Sequence, residues 1–359
     1  MPSASNSGQA MGVIVVMYRS SDVIADCLTS LLKSRPWLGR IVLVDNASPD
    51  ESVEIAVGVA VAHGCSVIEH VPHDKVANPC ANSVEIVRST RNRGFAGGVN
   101  LGLHLLEQDA ETGFFWILNP DCELATDAAR AVLCAAQAGE ARGGFALLGT
   151  RIRYRDEMRS LQSDGGVCSR WTGRCRNLNQ GCTPVDAPRI PDADCNFISG
   201  ASMIASRRFL AQAGGMTEDY FLYYEEVDWA WRREALPLLR SLDAVVFHHG
   251  GTAIGSGSAS RAPSPLSCYF NFRNRVRFIR RHNPQALMPC YVIALLEIIR
   301  FTVRCRWRQA RAGLRGILGL APPAEVAMAL SPADRAIAFG VAEEAPAESK
   351  LRAGLQSPA

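Results

Sequence analysis

Residues 12–50, GVIVVMYRSSDVIADCLTSLLKSRPWLGRIVLVDNASPD, decide the fold. They open on Gly12–Met17, a short apolar, β-branched run of the kind a strand buried on both faces requires. Val23, Ile24, Cys27, Leu28, Leu31 and Leu32 then recur at helical spacing, and Arg40–Val44 reads as a second buried strand. Ser48 and Asp50 suit the cap of a helix running to about His63. Working outward, Ser66–Glu69 and Ser83–Arg88 read as strands around a loop insertion at 70–82. A glycine-rich turn then leads into a helix at Gly98–Gln108, and Phe114–Leu118 is a further buried strand ending at Asn119-Pro120-Asp121. This alternation predicts an α/β fold, an open, mostly parallel sheet flanked by helices. Ligands of such sheets bind beyond the carboxyl ends of the strands, where Asp45, Asn46, the glycine-rich turn and Asp121 fall.

The second half is less regular. Residues 150–196 lose periodicity and read as an irregular hairpin, followed by helices at 206–213 and 226–235 and a strand at Arg240–Phe247. Residues 266–282 and 285–318 read as helices that are basic on one face, and 321–359, rich in Ala, Pro and Glu, as a weakly ordered tail. The net charge of +3 conceals an asymmetry. Residues 261–320 hold twelve arginines, no lysine and one acid, Glu297, a charge of about +11, so this end is built to meet negative charge. Twelve cysteines are scattered without a CxxC pair, which favours reduced thiols over structural zinc. Residues 1–10 form a polar tail without the pattern of a signal peptide. Residues 286–303 come nearest to a membrane span, but Pro289, Glu297 and Arg300 interrupt the run.

Several motifs carry chemistry. In TEDYFLYYEEVDWAWRR (217–233), four aromatic rings run into Glu225, Glu226 and Asp228, a setting that raises carboxyl proton affinity and suits a general base. A helix start with acids at its positive end explains the same residues without function. Asn92-Arg93-Gly94-Phe95-Ala96-Gly97-Gly98-Val99-Asn100 lets backbone approach a ligand and presents a helix N-terminus to phosphate. Its glycine spacing is not that of a dinucleotide fingerprint, which excludes an NAD-dependent enzyme. Asp121 suffices for a hard cation that also takes substrate phosphates, and His248 or His249 can complete a Mn²⁺ site. The arginine cluster comes with no nucleic-acid recognition motif.

In order, VIVVMY (13–18), LVDNASPD (43–50), NRGFAGGVN (92–100), WILNPD (116–121), FISGASMIASRR (197–208), FLYYEEVDWAWR (221–232), FHHGG (247–251) and YFNFRNRVRFIRRH (269–282) resemble the inverting glycosyltransferases of family two, which have a GT-A fold. Within them the chain looks most like the bacterial rhamnosyltransferase branch. The resemblance implies a GT-A domain over 11–260, its nucleotide-binding part at 11–122 and its acceptor and catalytic part at 123–260, with a basic helical region at 261–320. It implies donor contacts from Tyr18, Asp45, Asn46, Asn92, Gly94, Gly97, Asn100 and Asn119, and an acceptor side at Gly200, Ala201, Glu225 and Trp229. Asp121, in an Asn-Pro-Asp version of the family's Asp-x-Asp element, would bind Mg²⁺ or Mn²⁺ with His248. Glu226 would be the base and Asp228 its reserve. The implied donor is dTDP-L-rhamnose, with UDP- or GDP-sugars and a non-catalytic nucleotide-sugar binder as alternatives. The implied acceptor is a glycan or lipid-linked saccharide, reached from the cytoplasmic face of the inner membrane. The basic region would contact that membrane or form a homodimer.

Overall fold

The computed structural model of the chain describes residues 10–72, 82–155, 160–249 and 262–340. Strand β1 (Ala10–Met17) lies mid-sheet with β2 (Ile41–Asp45) on one side and β5 (Thr112–Leu118) on the other, both parallel to it. β4 (Ser83–Arg88) and β3 (Ser66–His70) continue the parallel half outward. Beyond β5 the sheet turns mixed. β11 (Ser202–Ser206) is antiparallel to β5 and to β7 (Leu147–Tyr154), β12 (Leu239–His248) is parallel to β7, and β6 (Cys122–Leu124) closes the far edge antiparallel to β12. The strand order is thus β3-β4-β2-β1-β5-β11-β7-β12-β6, with β8 (Leu161–Ser163) paired to β7 and a separate hairpin of β9 (Gly166–Cys168) and β10 (Cys175–Asn177). This is the expected α/β, mostly parallel sheet flanked by helices, and the irregular stretch 150–196 contains that hairpin.

Period-two alternation assigns the two faces. Met11, Val13, Val15 and Met17 of β1 join a core covered by α1 (Ile24–Lys33), α2 (Ser52–Ala62) and α4 (Ala128–Ala141). Ile14 and Val16 face the other core, which is covered by α3 (Gly94–Glu107) and the later helices. α3 lies close on β1, since a Cβ on Gly98 or Gly102 would come within 2.5 Å of Val16 or Ile14. It also begins one turn earlier than its hydrophobic pattern indicated.

α5 (Arg207–Ala213) and α6 (Glu225–Trp231) precede β12, and α7 (Pro265–His282), α8 (Leu287–Val303) and α9 (Trp307–Ile317) form a bundle against the second core. Arg273 and Arg275 of α7 are buried, and Arg275 pairs with Glu297 at 2.7 Å, so the basic region is partly an internal scaffold rather than one uniformly solvated face. The expected weakly ordered tail is corrected in its described part. Residues 324–328 and 332–339 form α10 (Ala324–Met328) and α11 (Pro332–Phe339). α11 starts with a Ser331/Asp334 capping box, and its Phe339 stacks on Phe270 of α7. The local signals of capping and one aromatic ring outweigh the low-complexity composition.

Gly94 opens α3 at φ +72°, and a Cβ there would meet the Phe221 carbonyl oxygen at 2.6 Å. Gly94→Ala should therefore cost about 1–3 kcal/mol, whereas Gly58→Ala, mid-helix in α2 with open space around it, should gain about 0.5–1 kcal/mol. Urea unfolding of the two variants checks both signs.

Candidate active site

The site is organised by a segment whose backbone is unusual. Phe221, Tyr223 and Tyr224 have φ of 65°, 67° and 73°, a region that costs a non-glycine residue about 1–3 kcal/mol. Helix α7 holds this run in place. The Nδ2 of Asn274, fully buried, donates to the carbonyls of Tyr220, Leu222 and Tyr223 at 3.0, 2.7 and 3.0 Å. Arg273 adds an Nη2 donor to the Tyr220 carbonyl at 2.8 Å, and the Tyr224 hydroxyl donates to the Gly173 carbonyl at 2.7 Å. The chain leaves this clamp directly into α6, so the three acids Glu225, Glu226 and Asp228 occupy its first turn.

The environment separates those acids. Glu225 is buried, burial and the neighbouring Glu226 charge push its carboxyl far above the usual range, and its Oε2 has no hydrogen-bond partner among the described residues. Glu226 is half-buried, and burial pushes its carboxyl up to about 7 although backbone N–H groups of the helix start pull the other way. Asp228 is fully buried. Burial opposes its ionisation, but His282, Thr217 and Arg232 hold its carboxyl down at about 2. It accepts from Thr217 Oγ1 (2.7 Å), Tyr220 Oη (3.1 Å) and Arg281 Nη1 (3.3 Å), and meets His282 Nε2 at 2.8 Å and Arg232 Nε at 3.2 Å. This corrects the reading of Asp228 as a reserve base: it is a strut between α6 and α7 with no oxygen left for substrate. Trp229 is corrected likewise. Its ring is buried in the core and its Nε1 donates to the Gly214 carbonyl at 2.8 Å, so it does not line an acceptor side.

Gly200 links α6 to the strand ends. A Cβ there would lie 3.8 Å from the Glu226 Cβ and 3.4 Å from the Phe95 ring. The next residue, Ala201, accepts from the Asn119 N–H at 3.0 Å and from the Cys122 thiol at 3.3 Å, which fixes the Asn119–Cys122 turn. At that turn Asp121 Oδ1 and His248 Nε2 face each other at 3.1 Å, with Asn119 Nδ2 3.4 Å from the same nitrogen. His248 Nδ1 lies 2.7 Å from Gln162 Oε1, which accepts a hydrogen bond from it and fixes the ring with Nε2 facing Asp121. Two ligand atoms directed at one point suit a hard or borderline cation. Burial opposes ionisation of Asp121, yet the adjacent His248 and His249 hold its carboxyl below the usual range. The Cys122 sulfur lies within 4.8 Å of both ligand atoms, and its thiol donates to the Ala201 carbonyl.

The donor end contains fewer free side chains than the sequence reading assigned. Asn46 and Asn92 form a clasp: Asn46 Nδ2 donates to Asn92 Oδ1 (2.9 Å) and the Gly94 carbonyl (3.0 Å), while Asn46 Oδ1 accepts from the Arg93 N–H (2.9 Å). Asn100 ties α3 to Met216 and Glu218. Gly97 is a packing position under the Arg93 side chain. These residues shape the loop, and their side chains are not available to a nucleotide. Asp45, at the end of β2, is buried, and burial raises its carboxyl; Oδ1 accepts from the Ser48 N–H at 2.9 Å and Oδ2 faces Arg88 at 3.8 Å. The Tyr18 hydroxyl donates to Asp334 of α11 at 2.6 Å. Sequence reasoning missed Arg273, Asn274, His282, Gln162 and Asp334, all of which act on the site across more than fifty residues of chain. Only the YFNFRNRVRFIRRH motif carried a signal for the first three.

Removing the Asn274 amide strips donors from three carbonyls, so Asn274→Ala should lower unfolding free energy by about 2 kcal/mol or more. Glu226→Gln should be neutral or stabilising at pH 7. A carboxyl raised by folding loses stability as pH climbs above its unfolded value, and the amide removes that loss. Urea titrations at pH 7 distinguish the two.

Residues 12–164 match the family model described as Glycosyl transferase family 2. The low-salt glycan biosynthesis hexosyltransferase Agl10 of Haloferax volcanii is 23% identical over 276 residues, 74% of either chain. Among solved structures, mannosyltransferase PcManGT from Pyrobaculum calidifontis, in complex with GDP-Man and Mn²⁺, aligns with a TM-score of 0.49 at 17% identity, over 96% of this chain and 79% of its own. Glucosyl-3-phosphoglycerate synthase from Mycobacterium tuberculosis, with Mn²⁺, UDP-glucose and phosphoglyceric acid, aligns with a TM-score of 0.42 at 13% identity, over 77% and 80%. Residues 12–164 thus match glycosyl transferase family 2, and the chain as a whole is similar to a hexosyltransferase.

Proposed function

We propose that this chain is an inverting transferase that moves L-rhamnose from dTDP-L-rhamnose to a hydroxyl of a glycan or lipid-linked saccharide, working from the cytoplasmic side. The observation that carries the mechanism is Glu226, a half-buried carboxylate raised to about 7 that heads α6 beside Gly200. A base poised near neutrality can hold an acceptor proton and still be ionised in a useful fraction of molecules. Glu226 takes the proton of the acceptor hydroxyl, whose oxygen bonds to the anomeric carbon from the face opposite the diphosphate. The bond from that carbon to the diphosphate oxygen breaks, the electron pair leaves with the nucleoside diphosphate, and the configuration inverts. A divalent cation held by Asp121 and His248 would neutralise charge on the departing diphosphate. Gln162 orients the His248 ring there.

A cavity of about 620 Å³ lies at the opposite end of α6 from Glu226, lined by Arg170, Trp231, Arg233, Glu234, His282 and Asn283 among others. The donor sugar rests on the likeness of the quoted motifs to the rhamnosyltransferase branch. The hexosyl, mannosyl and glucosyl transfer named for the relatives defines the alternatives.

Glu226→Gln should lower turnover by about 10²–10⁴ while donor binding is kept, and in the parent protein kcat/KM should fall as pH drops below about 7, as the base becomes protonated. Unchanged turnover by the variant would exclude Glu226 as the base. Chelation should abolish transfer and Mn²⁺ restore it, and dTDP with Mn²⁺ at a hundred times its Kd should add about 2.7 kcal/mol to stability. A shift with UDP or GDP in its place would reassign the sugar and keep the mechanism.

A further inference from the structure

α8 has two incompatible faces. Cys290, Ala294 and Ile298, spaced by four, are buried against the bundle, while Met288, Val292, Leu295, Leu296, Ile299 and Val303 are exposed, Met288 by 73% and Val303 by 77%. At 3.6 residues per turn these six fall within an arc of about 100°. Arg300 and Arg304, both exposed, lie along one border of that arc. α9 repeats the pattern: Trp307, Leu314 and Leu318 are exposed at 63%, 41% and 56%, with Arg308 and Arg311 exposed beside them. Its inner face is locked onto α7, since a Cβ on Gly316 would lie 2.5 Å from the Tyr269 carbonyl oxygen.

We propose that the outer faces of α8 and α9 dock on the surface of an anionic lipid bilayer. The apolar arc would sink among the acyl chains and the arginines would meet headgroup phosphates. The geometry argues for lying on the bilayer rather than crossing it. Residues 284–303 have the length and a mean hydropathy of 1.8 for a span. However, Glu297, on the inner side, is ion-paired with Arg275 at 2.7 Å and Arg174 at 2.6 Å, and pulling α8 into hydrocarbon would break both. Charge also argues against a second copy of the chain as the occupant. A two-fold contact would set Arg300, Arg304, Arg308 and Arg311 against their own counterparts, and the segment 287–318 has no acid other than the already paired Glu297. The inference does not depend on which sugar is transferred.

The test is flotation of the full chain with vesicles of phosphatidylglycerol mixed about 1:2 with phosphatidylcholine, alongside pure phosphatidylcholine. The expected result is binding to the anionic vesicles that weakens with salt. Arg300→Gln with Arg304→Gln should reduce the partition coefficient about 30-fold, and Ile299→Asp with Val303→Asp should abolish binding. Both double variants should retain donor-induced thermal shifts, which separates failure of docking from failure of the enzyme reading. Equal binding by parent and variants, or parent protein that ignores anionic vesicles at low salt, would overturn the proposal. So would a stable dimer dispersed by Ile299→Asp.

Discussion

The buried amide of Asn274 carries the site, because the loop it serves could not otherwise keep its shape. Three residues in four between Phe221 and Tyr224 adopt positive φ without being glycine, and the carbonyls of Tyr220, Leu222 and Tyr223 point at one place in α7. A single side chain with two N–H groups, backed by Arg273, satisfies carbonyls that would otherwise be buried without donors. Bulky rings at those positions are what make the loop worth holding, since Phe221 and Tyr224 are both buried and anchor it against Phe270 and Phe278. The orientation of α6, and so the position of Glu226, follows from that clamp. The basic helices are thus part of the catalytic architecture as well as a surface.

Electrostatic division of labour follows from the same geometry. One turn of helix holds three acids in three environments: burial and the Glu226 charge push Glu225 far up, burial raises Glu226 to about 7, and hydrogen bonds and arginines hold Asp228 down at about 2. Burial alone would push all three upward. Asp228 escapes because α7 delivers Arg281 and His282 to it, and α6 itself delivers Arg232. The Asp121–His248 pair is built at the ends of β5 and β12, and Gly200-Ala201 links it to α6. The start of β11 therefore sets the relation between Glu226 and the Asp121–His248 pair.

Legibility differed between fold and site. Strands β1, β2 and β5 were readable because each is a nearly continuous apolar run, a pattern that survives in one dimension. Asp121 and His248 stood out because they lie at strand ends, and Glu226 because it lies at a helix start. Asn46, Asn92 and Asn100 were misleading, because an asparagine that clasps a loop and one that binds a nucleotide look alike in sequence. Asp228 and Trp229 were misleading for a related reason: proximity to Glu226 along a helix does not place a side chain on the same side of it. The tail over 324–339 was obscured by composition, although Ser331 and Asp334 spell a capping box.

By itself, the sequence determined the α/β order of elements, the chemical family of the motifs and the short list of acids, because hydrophobic periodicity and residue type are local properties. Only the tertiary structure decided which acid is free, which arginines are buried, and which helix faces remain uncovered. Those outcomes depend on desolvation and on partners fifty or more residues away, such as Arg273, Asn274 and His282. No local pattern records the dielectric around a carboxylate or the absence of a neighbour over an apolar stripe.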